Sequence, residues 1–439
     1  MVPQPRTTAR NVILFIGDGM DAHQLSIARA YLYGLSGSFS FEEFPHRADL
    51  RVQTVSEEDG KSPVFVADSA SSGTALSAGV VTSRGRIATT ADQDRDVVTI
   101  LERAQGDGKL TGVVTTASLT DATPASFYAH TSFRFCQGPK DMKGSGGGLL
   151  PGCPKDLKSK GGSGSIAEQL AAKDIDVLLG GGTRYLSQRG EDGEILVEAM
   201  QRRGYRRVDS AEQLASVAAT IKRRLLGLFG NSTLPVEWTG VGGATAGAAS
   251  VDGKPVEPTP FRCEPNPRFG KRPTLEAMTR SAIEVLARQA AHAGFFLMVE
   301  SASIDKAAHA SNPCGQIGET LALDRAVAVA KEFAERRRDT LVVVTSDHGH
   351  APQLIPYPSL FEDYAPGTGM SYFPAGKIAV LESLAGGLMA VSYGTNATYL
   401  EEHTGTQVPA YAMGPGAERL GGLMDQREIY DVMVKAFGW

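Results

Sequence analysis

Short apolar runs recur along the chain at wide intervals. They fall at residues 11–16 (NVILFI), 112–116 (GVVTT), 176–179 (DVLL), 295–300 (FFLMVE) and 341–345 (LVVVT). Continuous apolar character over so few residues predicts strands covered on both faces, as in a parallel sheet. Between these runs, residues 274–292 and 316–338 place apolar side chains three and four apart. That spacing predicts amphipathic helices. Strand and helix in alternation predict a three-layer α/β/α sandwich around a mostly parallel central sheet. Two stretches break the pattern and are expected to be surface excursions from one catalytic domain spanning 1–439. One is 137–165, rich in Gly, Ser, Lys and Pro. The other is 190–272, with Gly, Pro and Thr concentrated after residue 230. No apolar run approaches the roughly 20 residues that would span a bilayer.

In open α/β sheets ligands bind beyond the carboxyl ends of the strands, so the residues after each run matter most. Asp18 follows the first run. Asp121 and Thr123 follow the second. Glu300 ends the fourth, with Asp305 close behind. Asp347, His348 and His350 follow the fifth. Carboxylates from four strand ends would repel each other on one edge unless cations compensated them. The histidines support a metal site. Asp305 and His309 are spaced i, i+4, which puts both on one face of a helix. Either Asp-x-x-x-His or Asp-His alone is weak evidence, and the joint occurrence carries the inference. The run Asp68-Ser69-Ala70-Ser71-Ser72-Gly73 is made of small residues. It predicts a helix start capped by Asp68 or Ser69, with Ser69 where the helix dipole favours an anion. No histidine lies nearby in sequence to act as a base, so a metal would have to activate this serine.

Competing motifs fail. Gly17-Asp18-Gly19-Met20-Asp21-Ala22 fits the dinucleotide fingerprint, but Asp18 would sit where a pyrophosphate must approach. G-x-S-x-G, the P-loop motif and C-x-x-C are absent. Composition narrows the choice further. Forty-four Lys and Arg stand against 49 Asp and Glu, a formal charge of -5, which disfavours nucleic acid as a specific partner. The four cysteines allow three pairings or none.

Six ordered motifs then acquire a common meaning: IGDGM at 16–20, ADSASSGTA at 67–75, LTDATPA at 119–125, VESASIDKAAHASNPCGQIGET at 299–320, VTSDHGH at 344–350 and EEHTG at 401–405. Together they resemble the alkaline phosphatases, closely the bacterial periplasmic type, over nearly the whole chain from Asn11 to Trp439. The resemblance implies hydrolysis of small phosphate monoesters, releasing inorganic phosphate, through a phosphorylated Ser69. It implies two Zn²⁺ and one Mg²⁺ per subunit. One zinc would rest on Asp305, His309 and His403, the other on Asp18, Asp347 and His348. Magnesium would rest on Asp18, Thr123 and Glu300. Arg134 matches the phosphate clamp, His350 a histidine supporting a zinc ligand, and Asp121 and Lys306 groups beside the magnesium. Ala308 departs from relatives with an acidic residue there. The resemblance also implies Cys136–Cys153 and Cys263–Cys314 bridges, a homodimer, and a periplasmic or secreted location with any signal peptide removed and no membrane partner. The rivals are a phosphodiesterase, which should lack the Arg134 clamp, a sulfatase, whose C/S-x-P-x-R motif is missing around Ser69, and a non-catalytic phosphate- or metal-binding protein. Asn231 and Asn396 begin glycosylation sequons.

Overall fold

A computed structural model describes residues 8–34, 36–144, 150–251, 254–358, 376–396 and 399–439. Ten strands form the main sheet. In chain order they are β1 (Asn11–Gly17), β2 (His46–Arg51), β3 (Leu110–Ser118), β4 (Val177–Gly181), β5 (Arg206–Val208), β6 (Leu225–Leu228), β7 (Phe295–Ser301), β8 (Thr340–Ser346), β9 (Val408–Met413) and β10 (Gly422–Asp425). Their order across the sheet is β10-β2-β9-β8-β1-β7-β3-β4-β6-β5. All neighbours run parallel except β9, which is antiparallel to both β8 and β2. The five apolar runs form β1, β3, β4, β7 and β8, each extended by a residue or more.

Alternation along the strands builds the layers. Val12, Leu14 and Ile16 of β1, with Leu341 and Val343 of β8, join one core. Ile13 and Phe15, with Val342 and Val344, join the other. Successive side chains point to opposite faces, so a strand apolar throughout feeds both cores. The first core is closed by α2 (Ser69–Ala78) and α6 (Glu428–Phe437). The second is closed by α1 (Ala22–Tyr33), α3 (Leu275–Gln289) and α5 (Pro313–Arg337). α4 (Ser303–His309) is a short helix directly after β7. Asn312 caps α5, accepting from the Gly315 N–H, and Pro313 fills its first turn.

The 190–272 stretch departs from expectation in its first half. Residues 196–228 form two helices, Leu196–Arg202 and Ala211–Ala218, with β5 and β6 at the sheet edge. Those strands are only three and four residues long, and arginines fill two of the three β5 positions, so neither yields a visible apolar run. The 230–272 part is irregular, with small two-stranded pairings such as Trp238–Gly240 against Cys263–Pro265. The 137–165 stretch holds only two short 3₁₀ turns, and its residues 145–149 lie outside the described residues. Both bridges are present, Cys136–Cys153 and Cys263–Cys314. A second sheet of four strands, Gly247–Ala248, Lys377–Glu382, Leu388–Tyr393 and Gln353–Ile355, stands apart from the first. Among the described residues no helix is long and apolar enough to cross a membrane.

Candidate metal and phosphate site

Register brings the expected residues to one edge. Ile16 of β1 is level with Glu300 of β7, and Glu300 with Thr115 of β3. Gly17 of β1 is level with Ser346 of β8. Asp18, Glu300 and Asp347 therefore leave the sheet at one height. Gly19 turns the chain there with φ of 68°, a conformation that glycine adopts without strain. Its N–H donates to Asp347 Oδ1 at 2.9 Å. A Cβ in its place would come within 3.2 Å of Asp305 Cβ and 3.3 Å of His350 Cδ2.

Two groups of ligands result. Asp18, Asp347 and His348 form the first, all fully buried. His348 Nε2 lies 3.4 Å from Asp18 Oδ1 and 3.3 Å from Asp347 Oδ2. Its Nδ1 faces the Gly349 carbonyl at 3.2 Å. Assigning the ring proton to Nδ1 on that ground leaves a lone pair on Nε2, pointed at two carboxylates. Ser69 Oγ is 3.3 Å from the same nitrogen.

Asp305, His309, His350 and His403 form the second group. α4 places Asp305 and His309 one turn apart, as their spacing requires. Asp305 Oδ1 lies 3.3 Å from His309 Nε2 and 3.2 Å from His403 Nε2. His309 Nδ1 donates to the Glu401 carbonyl, and His403 Nδ1 to the Ala67 carbonyl at 3.0 Å. Their Nε2 atoms thus carry lone pairs and face each other at 3.1 Å, a repulsive contact unless a cation lies between them. His350 is different. Its Nδ1 accepts from the Ala351 N–H at 2.8 Å, so its Nε2 bears the proton and turns it towards Asp305 Oδ1 at 3.2 Å. It orients the carboxylate rather than offering a lone pair.

These spacings fit zinc. Tetrahedral bonds of about 2.0–2.1 Å put ligand atoms about 3.3–3.4 Å apart. Asp18 Oδ1, Asp305 Oδ1 and Asp347 Oδ2 are buried without a hydrogen-bond partner, and they are the oxygens that face the histidines. Electrostatics agrees. Burial, then repulsion from Asp305, Asp347 and Glu300, drives Asp18 well above the usual carboxylate range. Burial likewise pushes Asp347 up to about 6. His348 is held well below its ordinary value by burial and by its histidine neighbours, which keeps it neutral and able to ligate.

Beside the first group lies an oxygen-only cluster. Thr115 and Thr123 both donate to the buried Glu300 carboxylate. Burial, with Asp121 adding to it, pushes Glu300 up to about 7. Lys306 Nζ bonds Asp121 Oδ2 at 2.9 Å. Burial would raise Asp121, yet Lys306 and Arg134 hold it down at about 2. A set of hydroxyl and carboxylate oxygens suits magnesium better than zinc.

The anion side completes the site. Asp68 is the N-cap of α2 and accepts from the Ser71 N–H at 3.0 Å. That puts Ser69 at the first helical position, where free N–H groups and the dipole meet an anion. Arg134 is fixed from behind. Its Nη1 donates to Asp68 Oδ2 at 3.0 Å, and its Nη2 lies 3.6 Å from Asp121 Oδ1. A guanidinium held by two carboxylates keeps its remaining N–H groups aimed into the site.

The sequence reading missed four supporting residues. Thr115 was hidden because its role depends on strand register. Asp68 appeared only as a possible cap, not as the anchor of Arg134. Glu401 and Lys377, described below, come from segments with no apolar pattern. Sequon Asn231-Ser232-Thr233 is described, and Ser232 Oγ lies 3.4 Å from Ser118 Oγ. In the other, Ala397 and Thr398 lie outside the described residues.

Comparison with known proteins matches this arrangement. The alkaline phosphatase family model matches residues 9–400. The chain is 42% identical to streptomycin-6-phosphate phosphatase of Streptomyces griseus, over 98% of this chain and 91% of that protein. It is 41% identical to alkaline phosphatase of Escherichia coli, over 98% and 86%. Among solved structures, a His-to-Asp mutant of TAB5 alkaline phosphatase with magnesium bound in its M3 site superposes with a TM-score of 0.68. That pair is 26% identical, with 99% of each chain covered. With six motifs in order, two histidine–carboxylate groups and a clamped arginine at one sheet edge, the chain belongs to the alkaline phosphatase family.

Proposed function

We propose that this protein hydrolyses phosphate monoesters through a phosphoserine formed on Ser69, with two zinc ions and one magnesium ion. The observation that carries the reading is the place of Ser69 Oγ, at the start of α2 and 3.3 Å from a histidine nitrogen whose lone pair has no proton donor. Asp305, His309 and His403 would hold one zinc, and Asp18, Asp347 and His348 the other. Asp18, Thr123 and Glu300 would hold magnesium, a choice supported by the magnesium-bound neighbour and by Asp121 and Lys306 alongside. Bound there, these cations would supply Lewis-acid charge that acidifies the serine hydroxyl and an attacking water and steadies the leaving oxygen.

The chain's own residues do the rest. Ser69 loses its proton and attacks phosphorus. The P–O bond to the alcohol breaks, leaving phosphate on Ser69. Arg134 forks two phosphoryl oxygens throughout, and α2 directs its free N–H groups at the same anion. Water then attacks the phosphoserine and releases inorganic phosphate. His350 keeps Asp305 oriented, and Lys306 neutralises Asp121. We further propose that the chain works as one catalytic domain and a homodimer. Its two disulfides favour the periplasm or another oxidising compartment.

Steady-state assays with 4-nitrophenyl phosphate and its diester, with chelator and metal add-back, test this. Monoester turnover should far exceed diester turnover, vanish on chelation, and return with zinc plus magnesium. Ser69→Ala should lower kcat/KM by roughly 10⁴-fold or more while retaining its metals. Wild-type activity in Ser69→Ala, or no phosphate release from the replete protein, would refute the proposal.

A further inference from the structure

The Asp305, His309 and His403 group stands partly outside the main sheet, and something must hold it. Glu401, two residues before His403, is completely buried. Its backbone is locked to His309 twice. The Glu401 N–H donates to the His309 carbonyl at 3.0 Å, and the Glu401 carbonyl accepts from His309 Nδ1. The second bond fixes the histidine tautomer and ring direction.

The Glu401 carboxylate is saturated. Oε1 accepts from Lys377 Nζ at 3.1 Å and Ser311 Oγ at 3.4 Å. Oε2 accepts from the Thr395 N–H at 3.1 Å, the Thr395 hydroxyl at 2.8 Å and the Asn396 N–H at 3.1 Å. Lys377 Nζ also donates to Ser311 Oγ at 3.3 Å and to the Tyr399 carbonyl at 2.7 Å. Lys377 opens the longest strand pairing of the small sheet, in register with Tyr393. Ser311, two residues after His309, is buried at φ of 51°, a left-handed conformation that a serine holds only under constraint. Two chain segments that carry histidines, 309–311 and 401–403, are thereby tied to a third that carries none.

We propose that the buried Glu401–Lys377 pair is the positioning device of the Asp305–His309–His403 metal pocket, and that the small sheet serves to anchor it. The pair touches no ligand atom that would contact metal. It acts through the His309 ring and through the path of the chain into His403. A buried pair broken on one side leaves an uncompensated charge, so either substitution should loosen the pocket. The inference rests on the proposed two-zinc reading.

The test is zinc binding to the full-length apo-protein, by competition with a chromophoric chelator, with magnesium content read by elemental analysis. Glu401→Gln and Lys377→Met should each weaken one of the two zinc equivalents by about 10- to 100-fold. The other zinc equivalent and the magnesium should stay at wild-type affinity. Saturating zinc should restore turnover to both variants. Glu401→Asp keeps the charge and should recover part of the affinity. Unchanged affinity in both variants would overturn the inference, as would equal weakening of both zinc equivalents or a lost fold in excess zinc. A wild-type chain that binds fewer than two zinc ions would instead overturn the proposed function, and this inference with it.

Discussion

The two histidine–carboxylate pockets use similar ligands in different settings. The Asp18–Asp347–His348 pocket is walled by the ends of β1 and β8, and its side chains are at most 3% exposed. The Asp305–His309–His403 pocket is assembled from a short helix and a loop, and His309 and His403 are 27% and 14% exposed. A sheet edge fixes side chains through strand register, at no cost beyond folding the sheet. A loop has no register and needs its own bonds, which Glu401 and Lys377 supply. The difference also suits the chemistry. The walled pocket faces Ser69 and excludes water from a nucleophile, while the open one leaves room for a departing alcohol and an entering water.

Substituting one histidine in each pocket gives the largest effect. His348→Ala and His403→Ala should each lower kcat/KM by roughly 10³-fold. Added imidazole should rescue His403→Ala substantially and His348→Ala hardly at all, since only the first leaves a hole that reaches solvent. Equal rescue in activity assays would break the comparison.

A smaller effect is expected at the turn that contacts both pockets. Gly19→Ala places a Cβ against Asp305 and His350 at a left-handed φ. It should cost about 1–2 kcal/mol in thermal or denaturant unfolding, and zinc affinity should fall in both pockets rather than one.

The smallest effect is a pH dependence behind the walled side. Glu319 on α5 is buried and lies 3.5 Å from Ser301 Oγ, next in the chain to Glu300. Burial, with Glu237 adding to it, pushes Glu319 up to about 8. Its folded value lies above its unfolded one, so its stabilisation is complete below about 4.5 and lost as pH rises through about 8. Glu319→Gln should therefore flatten the decline in stability between pH 7 and 9 by a few kcal/mol at most, seen as a smaller fall in Tm. A wild-type Tm that does not decline over that range would show that this carboxyl carries no such cost.

Legibility in the sequence followed the same division. β1, β3, β7 and β8 were readable because burial on both faces writes a continuous apolar run. Their flanking carboxylates and histidines were readable because strand ends are where ligands gather. The i, i+4 spacing of Asp305 and His309 needed only helix geometry. β5 and β6 were not readable, being short and, in β5, carried by Arg206 and Arg207. Thr115 could be found only once β3 was paired with β7. Glu401 and Lys377 look like ordinary surface charges in sequence, because nothing local tells a saturated, buried carboxylate from a solvated one.

The reversed direction of β9 has a consequence for the order of assembly. Ala410 of β9 is level with Thr345 of β8, and Met413 with Val342. The chain thus enters β9 at the edge where β8 leaves the sheet, and His403 arrives just upstream of a strand rather than just downstream of one. The walled pocket draws on nothing later than His348. The open pocket waits for a segment made near the end of synthesis, and for a strand that must dock against the grain of its neighbour. A growing chain can therefore complete a place for one metal well before it completes a place for the second, so the nucleophile side of the site is ready before the leaving-group side.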